Sequence, residues 1–436
     1  MKLFRVTAAC LLLAFVPSLE AQTPQDTAVQ ELKAQLEALK TETEARIKSL
    51  EDQIQQLQVQ MLQAPGPEEA PPPAQQPAVQ TIPGALNPAI SVVTNFVGRV
   101  DSKEFLAESG DVISDKMNVR EAELDFRVPV DPYADGVLIA ALESEVPGQF
   151  DTGIEEGYVN IKKLPFLENT PLGLKIKVGR FRPLFGKINI LHTHDLPTTF
   201  RPLPIQEFLG EEGFVQQGVS TNFFIPTPWD ENSSLDATFE FMDGGDIALS
   251  PQPSARASYL GHIRWFRNFG DANSLELGWS TYGHPSGNGV GAALANDIDF
   301  FYRWKPMRQG ESRSFLVGGE YLFAPEVTVG EEALARAQNS PSGTPQGFYV
   351  LGQWQLNRRI YAGLRYDNTD VLLQPDLKRE SATPYLSYYF SEFLRFRLNY
   401  EHLWSDLQDE DGRNSVYFEL NWVFGAHPPE PFWVNK

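Results

Sequence analysis

From residue 89 to residue 425 the chain alternates apolar and polar positions in short runs separated by turn clusters. In residues 120–128, Ala122, Leu124, Phe126 and Val128 share one face of an extended strand. Glu121, Glu123, Asp125 and Arg127 share the other. Successive side chains of a strand point to opposite faces, so a run of this kind predicts a strand with one apolar side. The stretches around Ile298–Trp304, Leu394–Tyr400 and Val416–Phe424 repeat it. About sixteen such runs begin near Ile90, Arg120, Val137, Ile154, Leu174, Gly213, Leu235, Tyr259, Leu275, Asp297, Phe315, Gly347, Ile360, Pro384, Leu394 and Val416. Each spans about nine to twelve residues, the length a tilted strand needs to cross a hydrocarbon layer. The apolar faces often end in Trp, Tyr or Phe, and the polar faces carry charge. A soluble sandwich would turn its apolar faces inward onto a finite core. An apolar exterior with aromatic ends and a charged interior instead predicts an all-β fold, a transmembrane antiparallel β-barrel of about 16 strands around a water-filled lumen. The links at 357–359 and 391–393 are short enough for turns at one rim. The stretches 324–346 and 368–382 are expected to be long loops at the other.

The pattern changes before residue 89. Over residues 25–64, Val29, Leu32, Leu36, Leu39 and Thr43 follow alternating steps of three and four, as do Ile47, Leu50, Ile54, Leu57 and Met61. The step of four between Thr43 and Ile47 is a stutter. So narrow an apolar stripe predicts an α-helical coiled coil and therefore an oligomer, with a single helix lying on the protein's own surface as the alternative. Residues 65–88 are Pro-rich and predict an extended spacer. At the start, Lys2 and Arg5 precede a short apolar run from Val6 to Val16 and the Leu19-Glu20-Ala21 site, the pattern of a secretory signal peptide. The expected division is a signal peptide at 1–21, a coiled-coil oligomerisation segment at 22–64, a Pro-rich linker at 65–88, the barrel at 89–426 and a C-terminal tail at 427–436. Cys10 is the one cysteine and lies within the signal, so the mature chain has no disulfide and no thiolate metal site.

A net charge of −21 makes the chain a poor partner for nucleic acid. Strand parity puts about nine basic and about fifteen acidic side chains on the inner face. Among them are Glu121, Glu123, Asp125, Arg127, Lys175, Lys177, Arg395 and Arg397. His192, His194 and Asp195 are spaced as metal ligands might be, but a His-x-His pair is common by chance, and a polar loop is the preferred reading. There is no Gly-x-Ser-x-Gly elbow and no His-Glu-x-x-His. Acidic pairs such as Glu155-Glu156 carry little weight in so acidic a chain. No enzyme activity and no cofactor are expected.

One block is more specific. The stretch GYVNIKKLPF at 157–166, then LGLKIKVGRFRPLFGK at 172–187, resembles the phosphate-selective porin O and P type of outer-membrane porin. The matching motif is Gly179, Arg180, Phe181, Phe185 and Gly186. The resemblance implies a sixteen-stranded trimeric channel. Two departures stand beside it. The chain ends on Lys436 rather than an aromatic residue, and the expected inner face is more acidic than basic, so the channel is carried over and the phosphate is not. In general porins a long loop folds inward, and residues 182–213 are expected to do so here, with a surface loop at subunit contacts as the alternative. The expected pore residues are Arg180, Arg182, Lys187, His192, His194, Asp195, Arg201 and Glu207. The functional expectation is passive diffusion of small hydrophilic solutes or ions. The partners expected are outer-membrane lipid, two further copies in a homotrimer and the peptidoglycan cell wall reached by the coiled coil. A tether to the cell wall and a metal-related uptake channel are the alternatives.

Overall fold

A computed structural model describes residues 88–434 and Lys48, apart from 107–109, 165–171, 245–246, 250–253, 286–292, 308–309, 328–342, 373 and 427–430. The predicted signal, coiled coil and linker lie outside the described residues, Lys48 and Pro88 excepted. So does most of the loop expected at 324–346.

Sixteen strands pair in sequence order and close on themselves. They are β1 (Ala89–Asp101), β2 (Met117–Asp131), β3 (Ala134–Glu143), β4 (Asp151–Ile161), β5 (Lys175–Phe181), β6 (Gln216–Ile225), β7 (Ser233–Gly244) and β8 (Ser254–Phe269). They continue with β9 (Asn273–His284), β10 (Ala293–Trp304), β11 (Ser314–Glu326), β12 (Gln346–Gln355), β13 (Ile360–Val371), β14 (Gln374–Ser391), β15 (Leu394–Ser405) and β16 (Arg413–Gly425). Every pairing is antiparallel, and β1 bonds to β16 as well as to β2. Closure removes the edge whose unpaired backbone groups lipid would not satisfy.

The two faces are the inverse of a soluble protein's. On β16, Ser415, Tyr417, Glu419 and Asn421 are buried on the inner face, while Val416 and Phe424 are exposed. On β9, Ser280, Tyr282 and His284 are buried, while Leu277 and Trp279 are exposed. The exposed apolar set continues around the wall through Leu138, Phe239, Ile263, Ile298, Leu364, Leu386 and Leu398. An encircling apolar surface of this kind is suited to lipid and would aggregate in water.

Two departures from strict alternation matter for the interior. Ile139 pairs with Glu156 and Ala140 with Ile154, so Glu155 is an extra, bulged residue. Asn95 pairs with Glu121 and Phe96 with Val119, which leaves Arg120 as a second bulged residue. A bulge re-aims a side chain that alternation would send outward.

The strand lengths differ from the uniform expectation. β5 has 7 residues and β14 has 18. The loop expected at 368–382 is mostly strand, because β13 and β14 run on as a paired hairpin. Asn368 sits opposite Glu380 and Asp370 opposite Lys378. Those positions are polar, so no apolar alternation marks them.

Candidate functional site

The link between β5 and β6 runs from residue 182 to residue 215 and lies inside the barrel. Its Arg182 N–H donates to Glu156 of β4 (2.9 Å), Leu184 N–H to Glu240 of β7 (3.2 Å) and Gly186 N–H to Ser280 of β9 (2.9 Å). Lys187 and Ile188 N–H both donate to Glu320 Oε1 of β11, at 3.0 and 2.7 Å. Leu203 N–H donates to Asp367 of β13 (3.2 Å). From the remaining side, Arg395 and Arg397 of β15 donate to the carbonyls of His194 and Leu196, each at 2.5 Å, and Arg120 of β2 donates to the Thr199 carbonyl (2.6 Å). A segment bonded to inward-facing groups of β2, β4, β7, β9, β11, β13 and β15 is held within the ring those strands form.

The local sequence explains the loop's path. Gly186 has φ +64, and a Cβ there would lie 2.4 Å from Glu320 Oε2. Gly179 has φ +137, and its Cβ would meet the Gly157 carbonyl at 2.2 Å. Both glycines of the motif are therefore required by conformation and by close approach. A short helix, α1 (Leu203–Leu209), follows. Pro204 suits its first turn because the missing N–H has no partner to lose there, and Gly210 at φ +101 ends it. Phe185, Ile188, Leu196, Ile205, Phe208 and Phe214 of the loop are buried against Tyr282, Tyr349, Tyr361 and Tyr385 of the wall.

The C-terminal tail joins this packing. Trp433 is 1% exposed. Its Nε1 donates to the Asp195 carbonyl (2.6 Å), and its own carbonyl accepts from Gln353 Nε2 (2.9 Å). Arg395 and Arg397 each lie 5.6 Å from its ring centroid. Phe432 packs on Phe301 at 5.0 Å, and Lys187 Nζ lies 4.8 Å from the Phe432 ring.

The expected site residues divide by role. Arg182 is buried and pairs with Glu155 (3.1 Å). Arg201 is buried and donates to the Ile188 and Leu191 carbonyls at 3.2 and 2.6 Å, bracing the loop against itself rather than facing solvent. Lys187 pairs with Glu276 of β9. Glu207 accepts from Leu372 N–H (2.8 Å) and lies 3.4 Å from Arg379. Arg180 is not a loop residue. It sits on β5 on the face opposite Lys175, Lys177 and Phe181, and its Nε donates to the Ile154 carbonyl (2.9 Å). Arg395 and Arg397 share the buried carboxylate of Glu419, at 2.9 and 3.0 Å. Arg127 pairs with Asp125 (2.9 Å). Most of the inner basic residues are thus committed to holding the loop or to a neighbouring acid.

The two histidines face carboxylates that are remote in sequence. His192 Nδ1 lies 3.0 Å from Glu123 and 2.6 Å from Glu155, and its Nε2 is 3.4 Å from Glu156. His194 Nδ1 lies 3.2 Å from Glu123 and 3.5 Å from Glu121, while Asp195 is 3.7 Å from its Nε2. Burial opposes charging of both rings. The Glu123 and Glu155 carboxylates outweigh it for His192, and Glu123, Asp195 and Glu121 do so for His194, so both imidazoles are held well above their ordinary range. Sequence reasoning missed Arg120 and Glu155 as inward residues, since both occupy bulges that no alternation announces.

Between the loop and β2, β4, β5, β6 and β7 a cavity of about 430 Å³ remains. Its lining includes Arg127, Glu156, Lys175, Lys177, Arg182, His192, Asp195 and Glu240. Lys177 Nζ lies 4.5 Å from the Tyr158 ring centroid. Among the described residues neither Lys175 nor Lys177 forms an ion pair.

No protein-family model matches the chain. It is 26% identical over 350 residues to an uncharacterized protein of Aquifex aeolicus (strain VF5), covering 72% of this chain and 70% of that one. Among solved structures, it is similar to an anion-selective porin from Comamonas acidovorans, with TM-score 0.50 and 11% identity over 77% of this chain and 99% of that one. It is also similar to Salmonella typhi OmpF in complex with daunomycin, with TM-score 0.50 and 10% identity over 78% of this chain and 98% of that one. At such identities the likeness concerns the fold alone, and the fold is the sixteen-stranded barrel of outer-membrane porins.

Proposed function

We propose that the chain is an outer-membrane porin through which small hydrophilic solutes or ions diffuse passively, with the loop at 182–215 narrowing the path. The observation that carries this reading is the loop itself, bonded around the inside of a closed barrel and leaving a cavity bordered by charged side chains, Lys175 and Lys177 among them. A solute gradient drives such transport, and fixed charges at the narrowest point bias which ions pass. The resemblance of 157–187 to phosphate-selective porins supports a channel. It does not extend to phosphate, because the acidic side chains facing inward outnumber the basic ones. A homotrimer with an N-terminal periplasmic coiled coil belongs to the same reading, supported by the apolar stripe from Val29 to Met61. A cell-wall tether through that segment is compatible with it. Removing residues 25–64 is expected to leave conductance unchanged and to weaken association with peptidoglycan.

Reversal potentials measured across a salt gradient test the selectivity. They are expected to fall near zero or on the cation side, and Lys175→Glu with Lys177→Glu should move them further toward cations. A strong anion preference in the wild type would contradict the charge balance of the wall.

A further inference from the structure

The cluster around the two histidines holds more carboxylates than its cations satisfy. Glu121, Glu123 and His194 offer ligand atoms within 4.8 Å of one another, and so do Glu123, Glu155 and His192. The carboxylates of Glu121, Glu143 and Glu155 form a third such group, with no cationic member. Each histidine Nδ1 looks at two carboxylates, yet a ring nitrogen carries one proton and can donate to only one of them. Glu121 makes the mismatch plain. It is 3% exposed, neither of its carboxylate oxygens has a hydrogen-bond partner, and its Oε2 faces His194 Nδ1 at 3.5 Å. Glu155 Oε1 and His194 Nδ1 are buried without a hydrogen bond as well. Arg182 pairs with Glu155 through Oε2.

We infer that this cluster is a binding site for a divalent transition-metal ion of the zinc type, held by the Glu121, Glu123 and His194 set or by the Glu123, Glu155 and His192 set, which share Glu123. Imidazole nitrogen with carboxylate oxygen is a donor set for first-row transition metals, whereas calcium and magnesium take oxygen alone. A cation within one of the sets answers the mismatch. It gives a histidine nitrogen and the carboxylates it faces a common partner and relieves the crowding among those carboxylates. Glu123, lying within 3.2 Å of both rings, is placed to bridge two ligand sets. Asp195 lies to the side of the cluster, on the far nitrogen of His194. Because each set draws ligands from the wall and the loop, a bound ion would also clip the loop to the wall.

The test uses full-length protein in detergent, stripped with a chelator and titrated calorimetrically with ZnCl₂, with CaCl₂ and MgCl₂ as comparisons. Metal content per chain is measured alongside. About one zinc per chain is expected, with little heat from calcium or magnesium. Glu123→Gln should weaken zinc by more than about tenfold, since loss of a supporting contact alone costs that much. Unchanged heat-modifiable migration shows that the barrel is intact. If this variant does not fold, the visible spectrum of cobalt(II) on the wild type replaces it, with d–d bands expected. Absence of zinc binding by the wild type, or wild-type affinity in Glu123→Gln, would overturn the site. None of these readouts uses conductance, so the metal site and the pore fail or stand separately.

Discussion

Individual residues in the lumen do two jobs, shaping the loop's backbone and tying it down. Gly186 is the clearest case of the first. Its left-handed φ and the 2.4 Å approach to Glu320 leave no room for a methyl group. Gly186→Ala is expected to destabilise the folded barrel by about 1–3 kcal/mol, seen as a lower temperature for the loss of heat-modifiable migration. Glu419 is the clearest case of the second, because Arg395, Arg397 and Asn95 all donate to it. Arg397→Met leaves Glu419 two donors and should cost about 2–3 kcal/mol. Glu419→Ala leaves two buried guanidinium groups without their carboxylate and should cost more, about 3–5 kcal/mol. Chemical-denaturant melts of the two variants check that order, and the reverse order would mean the loop carbonyls, not Glu419, are the main partners of β15. At this scale the sequence was partly legible. The motif glycines and the histidines stood out. The partners of those histidines did not, because Glu121 and Glu155 are brought to them by strand pairing across the barrel, and Glu155 only by a bulge.

Strands were the most legible elements, since apolar and polar positions alternate wherever one face meets lipid. That signal faded in the first half of β14, where Gln374, Asp376, Lys378 and Glu380 put polar residues on the outer face. The expectation of Arg180 as a pore residue departed from that signal, since continuing the count from Lys175 through Phe181 places the guanidinium on the outer face. The inner loop has no period of its own. Its prolines and glycines mark an irregular segment, and its buried phenylalanines show that it packs on something. The tail gave less warning. Phe432 and Trp433 sit beyond the last strand, and their burial follows from the apolar hollow formed by the loop and Tyr361. Removing residues 427–436 strips Trp433 from the Asp195 carbonyl and from both arginines of β15. The expected result is a larger and noisier single-channel conductance, with the barrel still folded. An unchanged trace would mean that the tail does not limit the path.

The described residues of the barrel form a closed wall with a lined interior. Sixteen strands enclose more space than side chains alone can fill, and here the loop and the tail occupy part of it. Acidic side chains outnumber basic ones on the inner face, and arginines of β15 and the loop neutralise part of that excess locally. A count of inner charges therefore overstates the size of the field an ion meets, and the two lysines beside the cavity temper it further. The fold class and strand number followed from periodicity because lipid imposes one rule on every strand. The charge pairing inside obeys no such rule and required the structure. The measurement that bears most directly on the account is the planar-bilayer recording of the purified protein. Stepwise increases in current, proportional to salt concentration and enlarged when the tail is removed, are predicted. A folded, inserted barrel that gives no current steps would contradict the claim that a water-filled path runs past the loop.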